Sequence, residues 1–240
     1  MSWSELADWW MSEVADDPAY ETVITPMLLD ILHPVAGRTY LDLGCGEGRV
    51  MRAVADRSAI VHGVELNQQL ARLAVEVAPT VVGELPNLGF LGDDCYDGAY
   101  CVLVLEHLVD HRGMFREAAR VVKMGGRFAL VMNHPVWTSP GSTPIEDTDG
   151  EILWRPGRYF SSGTTDAPAG DSRIVFHHRA ISEVLNAAAR AGWCLDKVIE
   201  SPHHEDLDQP GIPRLLACRW TLESHGLSTP RSSKLTNPGL

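Results

Sequence analysis

Lysine is scarce: of 20 basic residues among 240, only Lys123, Lys197 and Lys234 are lysines, against 32 acidic residues and a net charge of −12. There is no basic run. Such a chain repels a phosphate backbone at long range, which disfavours indiscriminate nucleic-acid binding and leaves the arginines to form at most a local anion site. Cysteine is equally uninformative as a scaffold. Cys45, Cys95, Cys101, Cys194 and Cys218 are scattered, none at zinc-ligand spacing, and a chain of this length needs no disulfide staples. His107 and His111 stand four apart, but Asp110 between them reads as a helix cap, so they do not share a helix face and no metal site is expected. No stretch approaches the ~18 apolar residues of a membrane span. The start, Met1-Ser2-Trp3-Ser4-Glu5, has neither a basic segment nor an apolar run, so a cytoplasmic protein without a leader is expected.

What is present is a chain that is 45% hydrophobic, enough for a sizeable core. At about 150 residues per domain, its length suits one large domain or a domain with an insert. Ser2 and Glu5 form a capping-box pattern for a first helix carrying Trp3, Leu6 and Trp10 on one face. Thr25-Pro26 predicts a capped helix to Leu32, stopped by His33-Pro34. From Thr39 strands and helices alternate. Strands are expected at Tyr40–Leu43, Ala59–Val64, Thr80–Val82, Gly98–Leu105 and Arg127–Met132. Helices are expected over Val50–Arg57, from an Asn67 cap to Val77, and from an Asp110 cap to Val122, where Gly125-Gly126 breaks the pattern. This alternation implies βαβ units and a parallel sheet covered on both faces. The pattern lapses from His134 to His178, then resumes with a helix over Ala180–Ala191 and strands at Leu195–Ile199 and Arg214–Leu222. The expected organisation is a helical cap (1–35), a ligand-binding half (36–133), an insert (134–179), a closing helix and strands (180–223) and a polar tail (224–240).

The strongest chemical signal is Asp42-Leu43-Gly44-Cys45-Gly46-Glu47-Gly48 after the first strand. Glycines there let a backbone approach a ligand where side chains would collide. Their spacing of i, i+2, i+4 is not that of a dinucleotide fingerprint, whose third glycine would fall at Arg49. Asp42 suits a cationic ligand better than a pyrophosphate. Glu65 directly follows the second strand, where a carboxylate can accept both hydroxyls of a ribose. Glu84 follows the third, placed to accept from an adenine amino group. Ligands of open parallel sheets bind at this C-terminal edge.

With these residues the chain resembles a class I S-adenosylmethionine-dependent methyltransferase over about residues 20–222. Besides the glycine motif, Asp93-Asp94-Cys95-Tyr96-Asp97-Gly98-Ala99-Tyr100, Leu103-Val104-Leu105-Glu106-His107-Leu108 and Val121-Val122-Lys123-Met124-Gly125-Gly126-Arg127-Phe128 look like the family's later segments, in the right order. The resemblance implies a doubly wound, Rossmann-like α/β fold with seven strands, the last antiparallel, and helices on both faces. It implies that Gly44, Cys45 and Gly46 line the methionine part of S-adenosyl-L-methionine, that Glu65 holds the ribose, and that Leu66 flanks the adenine. Glu84 stands where the family usually has Asp. Asp42, Leu85, Leu105 and, from the cap, Tyr20 complete the expected cofactor contacts. The likeness is to small-molecule enzymes of the broad group that includes the ubiquinone and menaquinone C-methyltransferases, with S-adenosyl-L-homocysteine as product.

Methyl transfer is an in-line displacement, so positioning residues are expected at the ends of the fourth and fifth strands. Those ends carry Glu106-His107 and Asn133-His134. A histidine can also remove a proton from a hydroxyl acceptor. His134 is the first candidate base, His107 the second, and His178, at the end of the insert, the third. The insert reads as a lid in which Trp137, Trp154, Tyr159 and Phe160 wall a lipophilic acceptor and Arg155 and Arg158 anchor an anionic group, or else as aromatics packed on the sheet. The expected partner is a small-molecule acceptor, with no nucleic acid and no membrane, on a monomer or homodimer. The alternatives are a nucleic-acid methyltransferase and a non-catalytic cofactor-binding regulator.

Overall fold

A computed structural model of the chain describes residues 6–14, 17–202 and 211–223. The Ser2–Glu5 capping box, Trp3 and the tail from 224 lie outside the described residues. Among the described residues the strands are β1 (Thr39–Leu43), β2 (Ile60–Glu65), β3 (Thr80–Val82), β4 (Tyr96–Val102), β5 (Val122–Asn133), β6 (Thr143–Glu146), β7 (Ile152–Arg155), β8 (Gly163–Ala169), β9 (Ser172–His178), β10 (Trp193–Pro202) and β11 (Pro213–Leu222). The helices are α1 (Ala7–Trp9), α2 (Thr25–Leu32), α3 (Arg49–Ala55), α4 (Gln68–Ala74), α5 (His111–Val121), α6 (Pro135–Thr138) and α7 (Ile181–Arg190).

Seven strands form one sheet in the order β10-β11-β5-β4-β1-β2-β3. Strands β1 to β5 run parallel, and the last strand, β11, is antiparallel to both β5 and β10. Side chains alternate across a strand, and here both alternations are apolar. Leu41, Leu43, Phe128, Leu130, Leu216, Cys218 and Trp220 enter one core with α5 and α7. Tyr40, Tyr100, Ala129, Val131, Leu215 and Ala217 enter a second core with α2 and α3. Helices therefore cover both faces, as expected for a doubly wound sheet. Trp193 ties the first core together, its indole N–H donating to Phe115 O at 3.0 Å. The expected caps of α4 and α5 are present: Asn67 Oδ1 accepts from the Gln69 and Leu70 amides, and Asp110 accepts from the Gly113 amide.

Two local expectations are corrected. Thr25 does not cap α2, because a π-helical turn over Tyr20–Ile24 runs directly into it. Gly125-Gly126 does not end the pattern before a new strand. Gly125 takes a positive φ of 78° and the chain stays extended from Val122, with a register shift against β4. The insert is structured, as the short helix α6 and the hairpins β6–β7 and β8–β9. Its strands are short and largely solvent-facing, so they carry little apolar alternation to read.

His111, at the start of α5, is buried, and burial together with the Arg179 and Arg112 charges lowers its pKa to about 4. A folded-state pKa below the ordinary histidine value means that the unfolded chain binds the extra proton first. The stability tied to a neutral His111 is complete above about pH 6.5 and is lost as pH falls toward 4. Urea denaturation at pH 7.5 and pH 5 should show the native protein losing about 2 kcal/mol more than His111→Gln. Equal losses would refute this assignment.

Candidate active site

The chain leaves β1 through the glycine turn, where Gly44, Gly46 and Gly48 take φ of +83°, +55° and +91°. The Gly44 and Cys45 amides both donate to Val64 O, at 2.8 and 3.1 Å, and bind the turn to the end of β2. On its other side the turn meets the end of β4. A Cβ at position 44 would lie 2.5 Å from Val104 Cγ2, whereas one at position 46 would meet nothing nearer than Trp10 Nε1 at 4.0 Å. The first glycine is thus demanded by packing, and the second leaves an open face of backbone.

A cavity of about 360 Å³ opens over this turn. Its walls are the C-terminal ends of four adjacent strands: Asp42 to Arg49 after β1, Val64–Leu66 at β2, Gly83–Pro86 at β3 and Val102–Val104 at β4. The loop His107–Asp110 and, from the N-terminal segment, Trp10 and Tyr20 complete it. The volume falls in the range of small-molecule and cofactor sites, about 300–1,000 Å³.

Asp42 is 2% exposed with Oδ2 unpartnered. Burial holds its carboxyl well above the usual range; the phenol of Tyr100, its register partner on β4, pulls the other way, though no well-formed hydrogen bond joins them. Glu65 is fixed by two backbone donors: Oε2 accepts from the Gly46 amide at 2.9 Å and Oε1 from the Asn67 amide at 2.8 Å. Burial raises its pKa, and these donors oppose the rise. A carboxylate oxygen has capacity beyond one such bond, so Glu65 is oriented without being saturated. Burial, then Asp42 and Glu65, push the Cys45 thiol up, which leaves it a packed, unreactive group. Tyr20 is buried under the Arg49 guanidinium, 4.7 Å from its ring centroid, and burial followed by the Glu47 charge raises its phenol.

Of the residues singled out from the sequence, the structure brings Tyr20, Asp42, Gly44, Cys45, Gly46, Glu65, Leu66, Glu84, Leu85 and His107 to one cavity. It does not bring Leu105, which is fully buried behind the β4 end. His134 and His178 lie elsewhere. His134 Nδ1 accepts from the Val136 amide at 3.2 Å, so Nε2 carries the proton and donates to Glu200 at 2.8 Å. His178 Nε2 donates to Tyr159 O at 2.7 Å, and its Nδ1 accepts from Thr138 Oγ1 at 3.3 Å. Each ring is saturated and buried, and neither lines the cavity. The insert aromatics do not line it either. Trp137 packs on Trp154 at 4.1 Å and under Arg214, and Phe160 is 93% exposed.

Sequence reading missed Glu47 and Arg49, and with them the role of Trp10. Trp10 Nε1 donates to Glu47 Oε2 at 2.8 Å, and Arg49 Nε lies 3.4 Å from Glu47 Oε1. This chain of contacts fastens the N-terminal segment over the glycine turn. Its signal was only a tryptophan on a helical face and two charges at variable positions of a glycine motif.

The packing contrast between the two glycines is measurable. Gly44→Ala combines a left-handed alanine with a clash and should cost about 2–4 kcal/mol of unfolding free energy. Gly46→Ala carries the backbone cost alone, about 1–2 kcal/mol. Urea denaturation of the two variants checks the order; a larger loss at position 46 would contradict it.

Residues 41–130 match the family described as a methyltransferase domain. The ubiquinone biosynthesis O-methyltransferase of Paracidovorax citrulli is 35% identical over 135 residues, 51% of this chain and 56% of that protein. A 37.1 kDa protein in transposon TN4556 of Streptomyces fradiae is 36% identical over 181 residues, 72% of this chain and 48% of that one. The chain thus spans about half the length of these curated relatives. Among solved structures, an S-adenosylmethionine-dependent methyltransferase from Mesorhizobium loti is 28% identical with a TM-score of 0.73, over 82% of this chain and 96% of that one. The geranyl diphosphate C-methyltransferase of Streptomyces coelicolor, solved with S-adenosyl-L-homocysteine, shares the fold at 15% identity and a TM-score of 0.59, over 87% and 83% of the two chains. The glycine turn, the sheet order and these likenesses converge: the chain carries a methyltransferase domain over residues 41–130 and is similar to S-adenosylmethionine-dependent methyltransferases of class I.

Proposed function

We propose that this protein transfers a methyl group from S-adenosyl-L-methionine to a small-molecule acceptor, and that the cavity over the glycine turn holds the cofactor. The observation that carries the reading is the open backbone face at Gly46, beside the oriented carboxylate of Glu65, in a cavity bounded by four strand ends. Glu65, already aimed by two amides, would accept the ribose hydroxyls with its remaining capacity. Glu84, Leu66 and Leu85 lie at the next strand ends, where they would border the adenine.

When bound, the cofactor supplies a methyl group activated on a sulfonium. The chain's own part is to bind, orient and exclude water. Glu65 and the glycine turn hold the ligand at the sheet edge. Trp10, clasped to Glu47, and Tyr20, under Arg49, close the N-terminal side. His107 is the one histidine candidate that lines the cavity, and its Nδ1 donates to Val175 O at 2.8 Å, which fixes the ring. The insert, resting on the loop that carries His107, would cover the acceptor. A small molecule is favoured over nucleic acid because a net charge of −12 with almost no lysine repels phosphate. Name-level support comes from the ubiquinone methyltransferase relative.

S-adenosyl-L-homocysteine at about a hundred times its Kd should stabilise the protein by about 2.7 kcal/mol, seen as a raised melting temperature. Glu65→Gln should weaken that binding at least tenfold, since an amide cannot accept from both the Gly46 and Asn67 amides with the same group. A wild-type melting curve that ignores saturating ligand would overturn the cofactor assignment.

A further inference from the structure

The segment His177-His178-Arg179 stands out in the sequence, and catalysis by histidine does not explain it. Arg179 is 7% exposed, and its hydrogen-bond partners among the described residues are all backbone carbonyls. Nη1 donates to Leu105 O at 3.0 Å and to His177 O at 3.4 Å; Nη2 donates to Leu108 O and, at 3.2 Å, to Val109 O. Three of these four carbonyls belong to the loop after β4. That loop begins as a single 3-10 turn, Leu105–His107, closed by the Leu108 amide donating to Leu105 O at 3.2 Å, so Arg179 adds a second donor to that carbonyl and supplies donors to the Leu108 and Val109 carbonyls beyond the turn. It then lines the cavity from His107 to Asp110. A guanidinium is a planar fork with five donors, and one buried fork can gather several carbonyls that a point charge cannot.

From this we infer that Arg179 is a positioning residue: it sets the shape of the 105–110 wall of the cofactor cavity from the far end of the insert. The inference rests on the cofactor reading above. Two further contacts run along the same seam. His107 Nδ1 donates to Val175 O at 2.8 Å, and its ring packs on Phe176 with centroids 4.8 Å apart. The same hairpin carries the N-terminal segment: Leu6 packs with Ala169 and Ile174, and Trp9 and Phe176 pack against that cluster. One hairpin therefore supports two walls of the cavity, the Trp10 segment and the 105–110 loop. No residue of the hairpin itself lines the cavity. Arg179 is the group that converts the hairpin's position into the loop's shape.

The test uses the full chain, Arg179→Lys and Arg179→Met, with S-adenosyl-L-homocysteine as probe. Calorimetry should show its affinity weakened at least tenfold in Arg179→Met and by a smaller factor in Arg179→Lys, which keeps the charge and part of the bonding. Hydrogen exchange should speed at least tenfold for amides 105–110 in the unliganded variants, with the β1–β2 amides unchanged. Wild-type affinity with only a lowered melting temperature would make Arg179 a structural residue and overturn the inference, as would unchanged exchange in the loop. If Arg179→Met does not fold, Arg179→Lys decides both readouts. A wild-type protein that fails to bind the probe refutes the cofactor reading instead, and the exchange arm still decides whether Arg179 holds the loop.

Discussion

Position 44 has room for a hydrogen atom and nothing more. The Gly44 backbone lies between Val64 O, to which its amide donates at 2.8 Å, and Val104, whose methyl would stand 2.5 Å from any Cβ. This close approach draws the ends of β1, β2 and β4 together, and the cavity is the space left above them. The positive φ at positions 44, 46 and 48 turns the chain from strand to helix while presenting bare backbone to the cavity. Were the turn held further from β4, Glu65 would lose the Gly46 amide that orients it, and Asp42 would reach solvent.

The rest of the site follows from that edge. Parallel strands with both faces buried must end in loops on one side, and each of four neighbouring strands contributes its following residues to the same hollow. Carboxylates at three of those ends, Asp42, Glu65 and Glu84, give the hollow its acceptor character. Part of the chain's −12 charge is thus gathered at this one edge of the sheet. The N-terminal segment and the insert pack beside this edge. They meet through the β8–β9 hairpin and are pinned to the loop after β4 by His107 and Arg179.

Much of this was legible in advance because it is local. The alternation of strands and helices, the Asn67 and Asp110 caps and the glycine turn each depend on residues a few positions apart. Three carboxylates at successive strand ends follow once the strands are placed. The histidines show the opposite case. His134 ends β5 as read, but its ring turns back to cap α6 and bond Glu200, a residue 66 positions away. His178 is taken up by Thr138 and Tyr159 in the same manner. Nothing in a histidine's neighbours along the chain reports whether both of its nitrogens are already engaged.

The sequence by itself determined the sheet with its two apolar faces, the bare-backbone turn and the acids beside it, since period-two burial, glycine conformational freedom and strand-end placement are written in nearest neighbours. The tertiary structure alone decided which histidine reaches the cavity, that Trp10 closes on Glu47, that the insert folds as two hairpins, and that Arg179 braces a loop some seventy residues earlier. Those outcomes depend on which distant carbonyls and carboxylates a donor meets once the chain is folded, and only packing sets that.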